Sequence, residues 1–331
     1  MIKGMQEVIQ VMEKAKADLE ANGGLKQVVF VACGGSFASS YPARYLLNQE
    51  GTIRVQGYNA SEFVNATPRN IDKNTLVIGT STKATAETVE AIRVANEKGA
   101  VTVGLSGYPD SLTAQTARYY ITYYHADEWY QDPTLVHCNS QGTALKIAFW
   151  LLKEYCGYTH YEAALEAFEK MPEIYGKAYQ QVKEDAAKFA MTYKDDKVWN
   201  VMSSGAAWEV SYSDAFCFFQ EMQTVHCVPI HSGEYFHGAF ETCDKDLAIL
   251  LFKSVGRTRP VDERAERFLN KFAGHHWIID AQELGLGELD ESVAEYFNAM
   301  LLHPISKQFI SAMDVRMHPM TYRRYMWKFN Y

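Results

Sequence analysis

The 331-residue chain has few cysteines, no cysteine pair and no long apolar run, and each shortage excludes a class of protein. Its six cysteines are scattered without a C-x-x-C pair, which argues against a disulfide framework or a zinc ribbon. No apolar stretch approaches the roughly 20 residues of a membrane span. The first 20 residues have no continuous apolar core and no small-residue cleavage site, so they are not a signal peptide. We therefore expect a cytoplasmic protein with reduced thiols and no membrane partner.

Positive charge is also in short supply. The chain has 32 Lys and Arg against 40 Asp and Glu, a net charge of −8, and it contains no basic block. Nucleic acid is therefore excluded as a partner. An anionic ligand would have to be held locally, by backbone N–H groups and hydroxyls. With 47% hydrophobic and 22% charged residues, the composition is that of a globular protein with a sizeable core.

The same order of predicted strands, loops and helices occurs twice in the chain. Its length permits this duplication, because it is sufficient for two domains. The apolar run Gln27–Ala32 ends in Cys33-Gly34-Gly35-Ser36, and the run Val198–Met202 ends in Ser203-Ser204-Gly205. The two lie about 170 residues apart, a distance typical of whole-domain duplication.

The remaining predicted elements follow the same duplicated order. Further strands are predicted at 54–63, 75–81 and 101–105, and again at 227–236, 247–253 and 277–279. Helices are predicted at 37–47, 84–97, 208–220 and 261–272, after an amphipathic helix carrying Met5, Val8, Ile9, Met12 and Ala15. Apolar strands alternating with helices indicate an α/β fold with two doubly wound, flavodoxin-like parallel sheets.

This pattern divides the chain into four parts. Residues 1–155 form the N-terminal helix and first domain, 156–194 a helical linker, 195–315 the second domain and 316–331 a C-terminal tail. Within the linker, Pro172 is expected to cap or break a helix.

Two loops of the first half follow strands and precede helices, where anions bind in parallel sheets. One contains Gly35 and Ser36, and the other is the hydroxyl-rich stretch 80–85, with Ser81, Thr82, Lys83 and Thr85. Both favour phosphate, although Ser and Thr in such places can also simply cap helices. The corresponding loop at Ser203 is similar but weaker. Neither nucleotide-binding glycine motif is present, so no nucleotide cofactor is predicted.

Residues 221–241 concentrate carboxylates, imidazoles and glycines. Glu221, His231, Glu234 and His237 stand out as candidates for acid–base chemistry. A zinc site is the alternative, but the helical H-E-x-x-H pattern is absent and the segment looks strand-like. From the residues alone, Glu221 could equally be a surface helix carboxylate and His237 a turn histidine.

Three stretches carry a family resemblance. VVFVACGGSFASSYPARY at 28–45, IHSGEYFHGAFE at 230–241 and HPMTYRRYMWKFNY at 318–331 resemble the fructosamine deglycases. These are sugar-isomerase (SIS) proteins related to the isomerase half of glucosamine-6-phosphate synthase. Two departures stand out: loop 81–85 is shorter than the family's S-x-S-G-x-T and lacks its glycine, and Ala239 replaces the usual proline.

The resemblance implies a deglycase acting on a phosphorylated sugar amine, without metal or cofactor. Glu221 would move a proton between C1 and C2, and His237 would open the sugar ring. It carries Ser36, Ser81 and Thr85 over as phosphate-binding residues, with Thr82 and Lys83 beside them. The residues themselves add Gly35 of the first loop and Glu234, which could line the site or recognise the amine. The aromatic-rich tail either packs on the domain surface or closes over the sugar as a lid, with Arg323 or Arg324 reaching an anion. Relatives often complete the site with a neighbouring chain, so a homodimer or larger symmetric oligomer is expected, in which His237 can serve the partner's site.

The sequence is also compatible with two other functions. One is an aldose–ketose isomerase or deaminase of amino-sugar phosphates. The other is a non-catalytic sugar-phosphate sensor, against which the presence of both Glu221 and His237 counts.

Overall fold

The computed structural model describes residues 2–125, 132–313 and 325. The chain divides into two compact units, Met1–Glu173 (unit 1) and Ile174–Tyr331 (unit 2). Each unit contains one parallel sheet. None of the helices in the described ranges is long and apolar enough to cross a membrane.

The sheet of unit 1 has five strands in the order β2-β1-β3-β4-β5, which is the flavodoxin-like order. The strands are β1 Gln27–Ala32, β2 Arg54–Asn59, β3 Thr75–Thr80, β4 Val101–Ser106 and β5 Tyr119–Thr122. Strand β5, which the sequence pattern does not predict, is a short edge strand whose Tyr119 pairs with Val103 of β4.

The sheet of unit 2 has four strands in the order β7-β6-β8-β9, which repeats the first four positions of unit 1. These strands are β6 Val198–Ser203, β7 His226–His231, β8 Ala248–Lys253 and β9 His276–Asp280. Every residue of β1, β3, β4 and β8 is buried, as expected for parallel strands covered on both faces. The predicted duplication and fold class are confirmed.

The helices of unit 1 include a split that the sequence analysis does not predict. They are α1 Met5–Ala21, α2 Gly34–Ser39, α3 Tyr41–Glu50, α4 Ala60–Asn65, α5 Ala86–Glu97, α6 Leu112–Thr116 and α7 Ser140–Cys156, with a 3₁₀ turn at Pro133–Leu135. The predicted helix 37–47 is interrupted at Ser40, because Pro42 in the first turn of α3 lacks an N–H and its ring cannot continue a preceding helix.

The prediction of a strand over 54–63 is also wrong at its end, since Asn59 caps α4 by accepting from the N–H of Ser61 at 3.0 Å.

Helix α8 (Tyr161–Gln181) spans the boundary of the two units and contains Pro172. The expectation that Pro172 caps or breaks a helix is wrong, because buried Phe168, Met171 and Tyr175 on either side hold the helix together. The helices that follow are α9 Lys183–Tyr193, α10 Trp208–Ser213, a π-helix at Asp214–Gln223, α11 Arg259–Phe272 and α12 Asn298–Ala312. Short 3₁₀ turns lie at Gly205–Ala207, Tyr235–His237, Ala239–Thr242, Leu286–Glu288 and Ala294–Phe297.

Two further predictions in unit 2 need correction. The helix over 208–220 changes into the wider π-helix at Asp214 and continues to Gln223. The strand over 227–236 ends at His231, because the chain turns there: the N–H of Glu234 donates to the carbonyl of His231 at 2.8 Å. Glu234 and His237 therefore lie in a turn and not in a strand.

Candidate active site

The first predicted phosphate loop follows β1. In a parallel sheet of this order, ligands bind where the strand order reverses, at the carboxyl ends of β1 and β3. Gly34 adopts a left-handed conformation with φ 53°, which glycine tolerates at little cost, whereas Gly35 is an ordinary residue of α2. The half-buried Ser36 hydroxyl has no hydrogen-bond partner within the described ranges, so it is available to a ligand.

The second predicted loop follows β3. The buried Ser81 Oγ accepts a hydrogen bond from the N–H of Thr85 at 2.9 Å and lies 3.0 Å from Thr85 Oγ1. Among the residues that the structure describes, the N–H groups of Thr82, Lys83 and Ala84 have no partner. Unpaired N–H groups in a loop before a helix can bind an anion.

The side chains of Thr82 and Lys83 do not take part in the contact between Ser81 and Thr85. Tyr123 donates its hydroxyl to Thr82 Oγ1 at 3.0 Å, and burial raises the pKa of Tyr123 to about 12, so that it stays a donor at neutral pH. Lys83 is exposed, with Nζ 5.9 Å from the ring centroid of Tyr108. Its side chain lines an open cavity of about 390 Å³ beside the loop, together with Ala84, Tyr108, Asp110 and Ser111.

Cys33 is the nearest thiol to the first loop. Burial raises its pKa, and its Sγ lies 4.0 Å from the side-chain nitrogen of Asn59. The group is therefore a neutral thiol at pH 7 and does not act as a thiolate nucleophile.

Glu221 lies in the π-helix of unit 2, a form of helix that is rare and often found at functional sites. Its neighbours anchor the segment. Gln220 Nε2 donates to the carbonyl of Cys227 at 2.8 Å, and the buried Gln223 donates to the carbonyl of Ile310 at 3.2 Å. The helix ends at Gln223, and Thr224, which caps it, has φ 55°. The half-buried Glu221 is thus held by backbone contacts on both sides along the chain.

Buried polar groups of α12 contact the π-helix and the helix α10 before it, and the sequence pattern does not predict them. Ser306 donates its hydroxyl to Asp214 Oδ2, and burial raises the pKa of Asp214 well above its usual range. His303 Nδ1 lies 3.5 Å from Glu209 Oε1, and burial lowers the pKa of His303 to about 4. At neutral pH His303 is therefore uncharged and the contact is not an ion pair.

The segment 231–237 presents its polar groups in a tight turn. His231 Nδ1 accepts from the N–H of Gly233 at 3.1 Å, and burial lowers the pKa of His231. Glu234 and His237 are exposed, and the N–H of His237 donates to the carbonyl of Glu234 at 2.9 Å. Across the ranges 2–125 and 132–313, no three His, Cys, Asp or Glu side chains are grouped to hold a metal ion, and His231, Glu234 and His237 are no exception.

A third hydroxyl-rich loop follows β8 and is not among the predicted sites. Ser254 Oγ and Thr258 Oγ1 lie 3.2 Å apart, like the pair Ser81 and Thr85. The duplication could have predicted this loop, because 254 − 81 and 258 − 85 both equal 173, close to its offset.

The structure thus brings some of the predicted residues together. Ser81 and Thr85 are in contact in unit 1, and Glu234 and His237 share one turn in unit 2. Arg323, Arg324 and nearly all of the tail 316–331 lie outside the described residues.

Comparison with known proteins agrees with this architecture. A profile of the SIS domain matches residues 25–152. The curated relative fructosamine deglycase FrlB of Bacillus subtilis (strain 168) is 34% identical over 310 residues, which is 93% of each chain.

Two crystal structures named for phosphosugar isomerases match the whole chain over their whole length. One, from Salmonella typhimurium LT2, is 37% identical with a TM-score of 0.92, and the other, from Bacillus subtilis, is 32% identical with a TM-score of 0.91. With identity above 30% over nearly the whole length, the chain belongs to the SIS family of sugar-phosphate isomerases and deglycases and is an enzyme of that family.

Proposed function

We propose that this enzyme is a fructosamine 6-phosphate deglycase. Its substrate carries an amine on C1 of fructose 6-phosphate, and its products are glucose 6-phosphate and the free amine or amino acid. The observation that carries the proposal is the 34% identity to a fructosamine deglycase over 93% of both chains.

The loop 81–85 supports the phosphorylated form of the substrate. Ser36, Ser81 and Thr85 offer hydroxyls, and the unpaired N–H groups of Thr82 and Lys83 can donate to phosphate oxygens. Hydrogen bonds to a charged oxygen are about twice as strong as neutral ones, so no cluster of basic residues is needed. Gly34 lets the backbone turn after β1 and brings Gly35 and Ser36 to the same edge of the sheet.

Glu221 is the proposed proton shuttle. Its carboxylate removes a proton from C1 of the open-chain substrate, and the C–H electron pair forms a C1=C2 double bond. The carbonyl oxygen on C2 takes up a proton from solvent, which gives an enaminol. The same carboxyl group returns the proton to C2 while the amine nitrogen loses its own proton, which gives an imine at C1. Water adds to the imine carbon, and the C–N bond breaks to release glucose 6-phosphate and the amine.

His237 is the proposed ring-opening group and Glu234 a contact for the amine. Both side chains are exposed and lie on one turn, so they are available to substrate. Imidazole suits the ring-opening step because its ring nitrogens can donate and accept a proton. We further propose that Arg323 and Arg324 of the tail bind an anionic group of the substrate, that the enzyme works as a cytoplasmic homodimer or larger symmetric oligomer, and that it needs no cofactor.

The test is product formation from a panel of fructosamine 6-phosphates with different amines. The expected result is equal release of glucose 6-phosphate and free amine, with no reaction of the unphosphorylated substrates at the same concentration. Conversion between aldose and ketose phosphates without release of an amine would favour the isomerase, and release of ammonia from an amino-sugar phosphate would favour the deaminase. Binding of substrate without turnover would favour the sensor.

A further inference from the structure

The loop after β8 repeats the geometry of the loop after β3. Each of these strands holds the third position in the order of its sheet, and each loop places a Ser and a Thr hydroxyl about 3 Å apart. The strand beside each of them in the sheet, β1 or β6, is also followed by a glycine with positive φ, Gly34 at 53° and Gly205 at 55°. Unit 2 therefore contains a second copy of the loop that we propose as the phosphate site of unit 1.

The second copy differs in what its backbone N–H groups bind. Ser254, Val255 and Arg257 donate their N–H groups to side-chain oxygens of unit 2 itself, namely Asp262 Oδ2 at 3.0 Å, Asn298 Oδ1 at 2.8 Å and Glu295 Oε2 at 3.0 Å. By the offset of 173, the equivalent groups in unit 1 are those of Ser81, Thr82 and Ala84. The N–H of Ser81 donates to the carbonyl of Leu105 at 3.0 Å, whereas the N–H groups of Thr82 and Ala84 have no partner in the described part of unit 1.

Glu295 occupies its position as a bound anion would. Besides the N–H of Arg257, its carboxylate accepts from Arg257 Nε at 2.7 Å and from Nη2 of the same guanidinium. The carboxylate is nearly fully buried although the guanidinium is half-exposed. A loop N–H combined with a planar guanidinium is also a donor set that suits phosphate.

Gly256 makes this close approach possible. It has φ +93°, and a Cβ built at this position would lie 2.3 Å from Glu295 Cβ. Any other residue would push the 3₁₀ turn that carries Glu295 away from the loop. A second carboxylate closes the start of the loop, since Asp262 Oδ2 also accepts from Ser254 Oγ at 2.6 Å.

We infer that unit 2 retains a phosphate-type loop whose anion is supplied by the chain itself, through Glu295 and Asp262. The loop is therefore closed to substrate, and removing Glu295 opens a phosphate site formed by Arg257 and the neighbouring N–H groups. The inference rests on the proposed function, because it takes the loop of unit 1 as the working phosphate site.

The experiment measures binding of inorganic phosphate by calorimetry and its effect on the melting temperature. The background is Ser36→Ala/Ser81→Ala, which weakens the site of unit 1. Adding Glu295→Ala should raise the binding stoichiometry by one phosphate per chain and make the melting temperature rise with phosphate. Adding Arg257→Ala as well should remove this site again.

The matched control is Glu263→Ala in the same background. It changes the net charge equally and also removes a carboxylate from an arginine, because Glu263 Oε1 lies 3.1 Å from Arg259 Nε. Unlike Glu295, Glu263 accepts no loop N–H among the described residues. It should bind no additional phosphate. Equal phosphate binding by the Glu263 and Glu295 variants would overturn the inference.

A Glu295 variant that stays unfolded at every phosphate concentration would overturn it too, because a bound phosphate must stabilise the folded state. Failure of the proposed function has a different signature. In that case the wild-type enzyme releases no glucose 6-phosphate, or the background variant keeps its phosphate affinity. Phosphate binding by the Glu295 and Glu263 variants is measured without catalysis, so the two can be compared in both cases.

Discussion

Ser81 and Thr85 are locked together, with the N–H of Thr85 donating to Ser81 Oγ at 2.9 Å and the two hydroxyl oxygens 3.0 Å apart. The contact fixes the loop between β3 and α5, and it gives Ser81 a structural role besides the proposed one in phosphate binding. Ser36 makes no such contact with the described residues, so the two serines can be told apart experimentally.

Ser36→Ala should raise KM for a phosphorylated substrate by about ten- to a hundredfold without changing the melting temperature, because only a hydrogen bond to a charged ligand is lost. Ser81→Ala should raise KM similarly and also lower the free energy of unfolding by about 1 kcal/mol, the usual net value of an internal hydrogen bond. Steady-state kinetics and thermal denaturation of both variants check this. An unchanged KM in both would remove the loops from the phosphate site.

Glu221→Gln should lower kcat by about 10²–10⁴-fold, the usual contribution of general acid–base catalysis, while substrate still binds. The amide keeps the size of the side chain but cannot accept the C1 proton. The second readout is exchange of the C1 hydrogen with deuterated solvent, which should stop.

Glu241→Gln is the control for Glu221, because Glu241 is exposed and has no proposed role. It should leave both kcat and exchange unchanged. If Glu221→Gln still exchanges the C1 hydrogen, another group is the base, and Glu234 is the next to test.

Mixing Glu221→Gln and His237→Ala chains tests whether sites are shared in the proposed homodimer. If His237 serves the partner's site, a mixed dimer contains one site with both residues intact. Since random mixing makes half of the dimers mixed, about a quarter of wild-type activity should return after subunit exchange. Activity that stays at the level of the separate variants would place both residues in one chain's site.

His137 should make the stability of unit 1 depend on pH. It is buried, and Lys146 Nζ donates to its Nδ1 at 3.1 Å; burial, with the positive charge of Lys146 adding to it, lowers the pKa of His137 to about 3. The unfolded chain, with a usual pKa of about 6.5, therefore takes up a proton at a higher pH than the folded one does. The free energy of unfolding is highest above pH 6.5 and falls as the pH drops towards 3.

Replacing His137 with Gln should remove a slope of about 1.4 kcal/mol per pH unit between pH 6 and 4, measured by urea denaturation. The exposed His160, replaced in the same way, should leave the slope unchanged. Equal slopes in wild type and His137→Gln would show that His137 is not the group responsible.

Most of the sheet could be predicted from the sequence, for a physical reason. Strands buried on both faces must be continuously apolar, and β1 and β3 are recognisable by that pattern alone. The edge strand β5 could not be recognised in this way, because only one of its four residues is buried. The interruption of the helix at Ser40 could have been predicted, because Pro42 has no N–H and its ring disfavours a helix before it.

The sequence by itself determined the duplicated fold, the family and the hydroxyl-rich loops at the strand ends, because these depend on short-range patterns and on residues that stand next to each other. Only the tertiary structure decided which copy of the loop has its N–H groups open. Arg257 meets Glu295 across 38 residues and Val255 meets Asn298 across 43, and no local spacing encodes such contacts. The π-helix around Glu221 is likewise joined to α12 by a contact between buried Asp214 and Ser306, 92 residues apart in the chain.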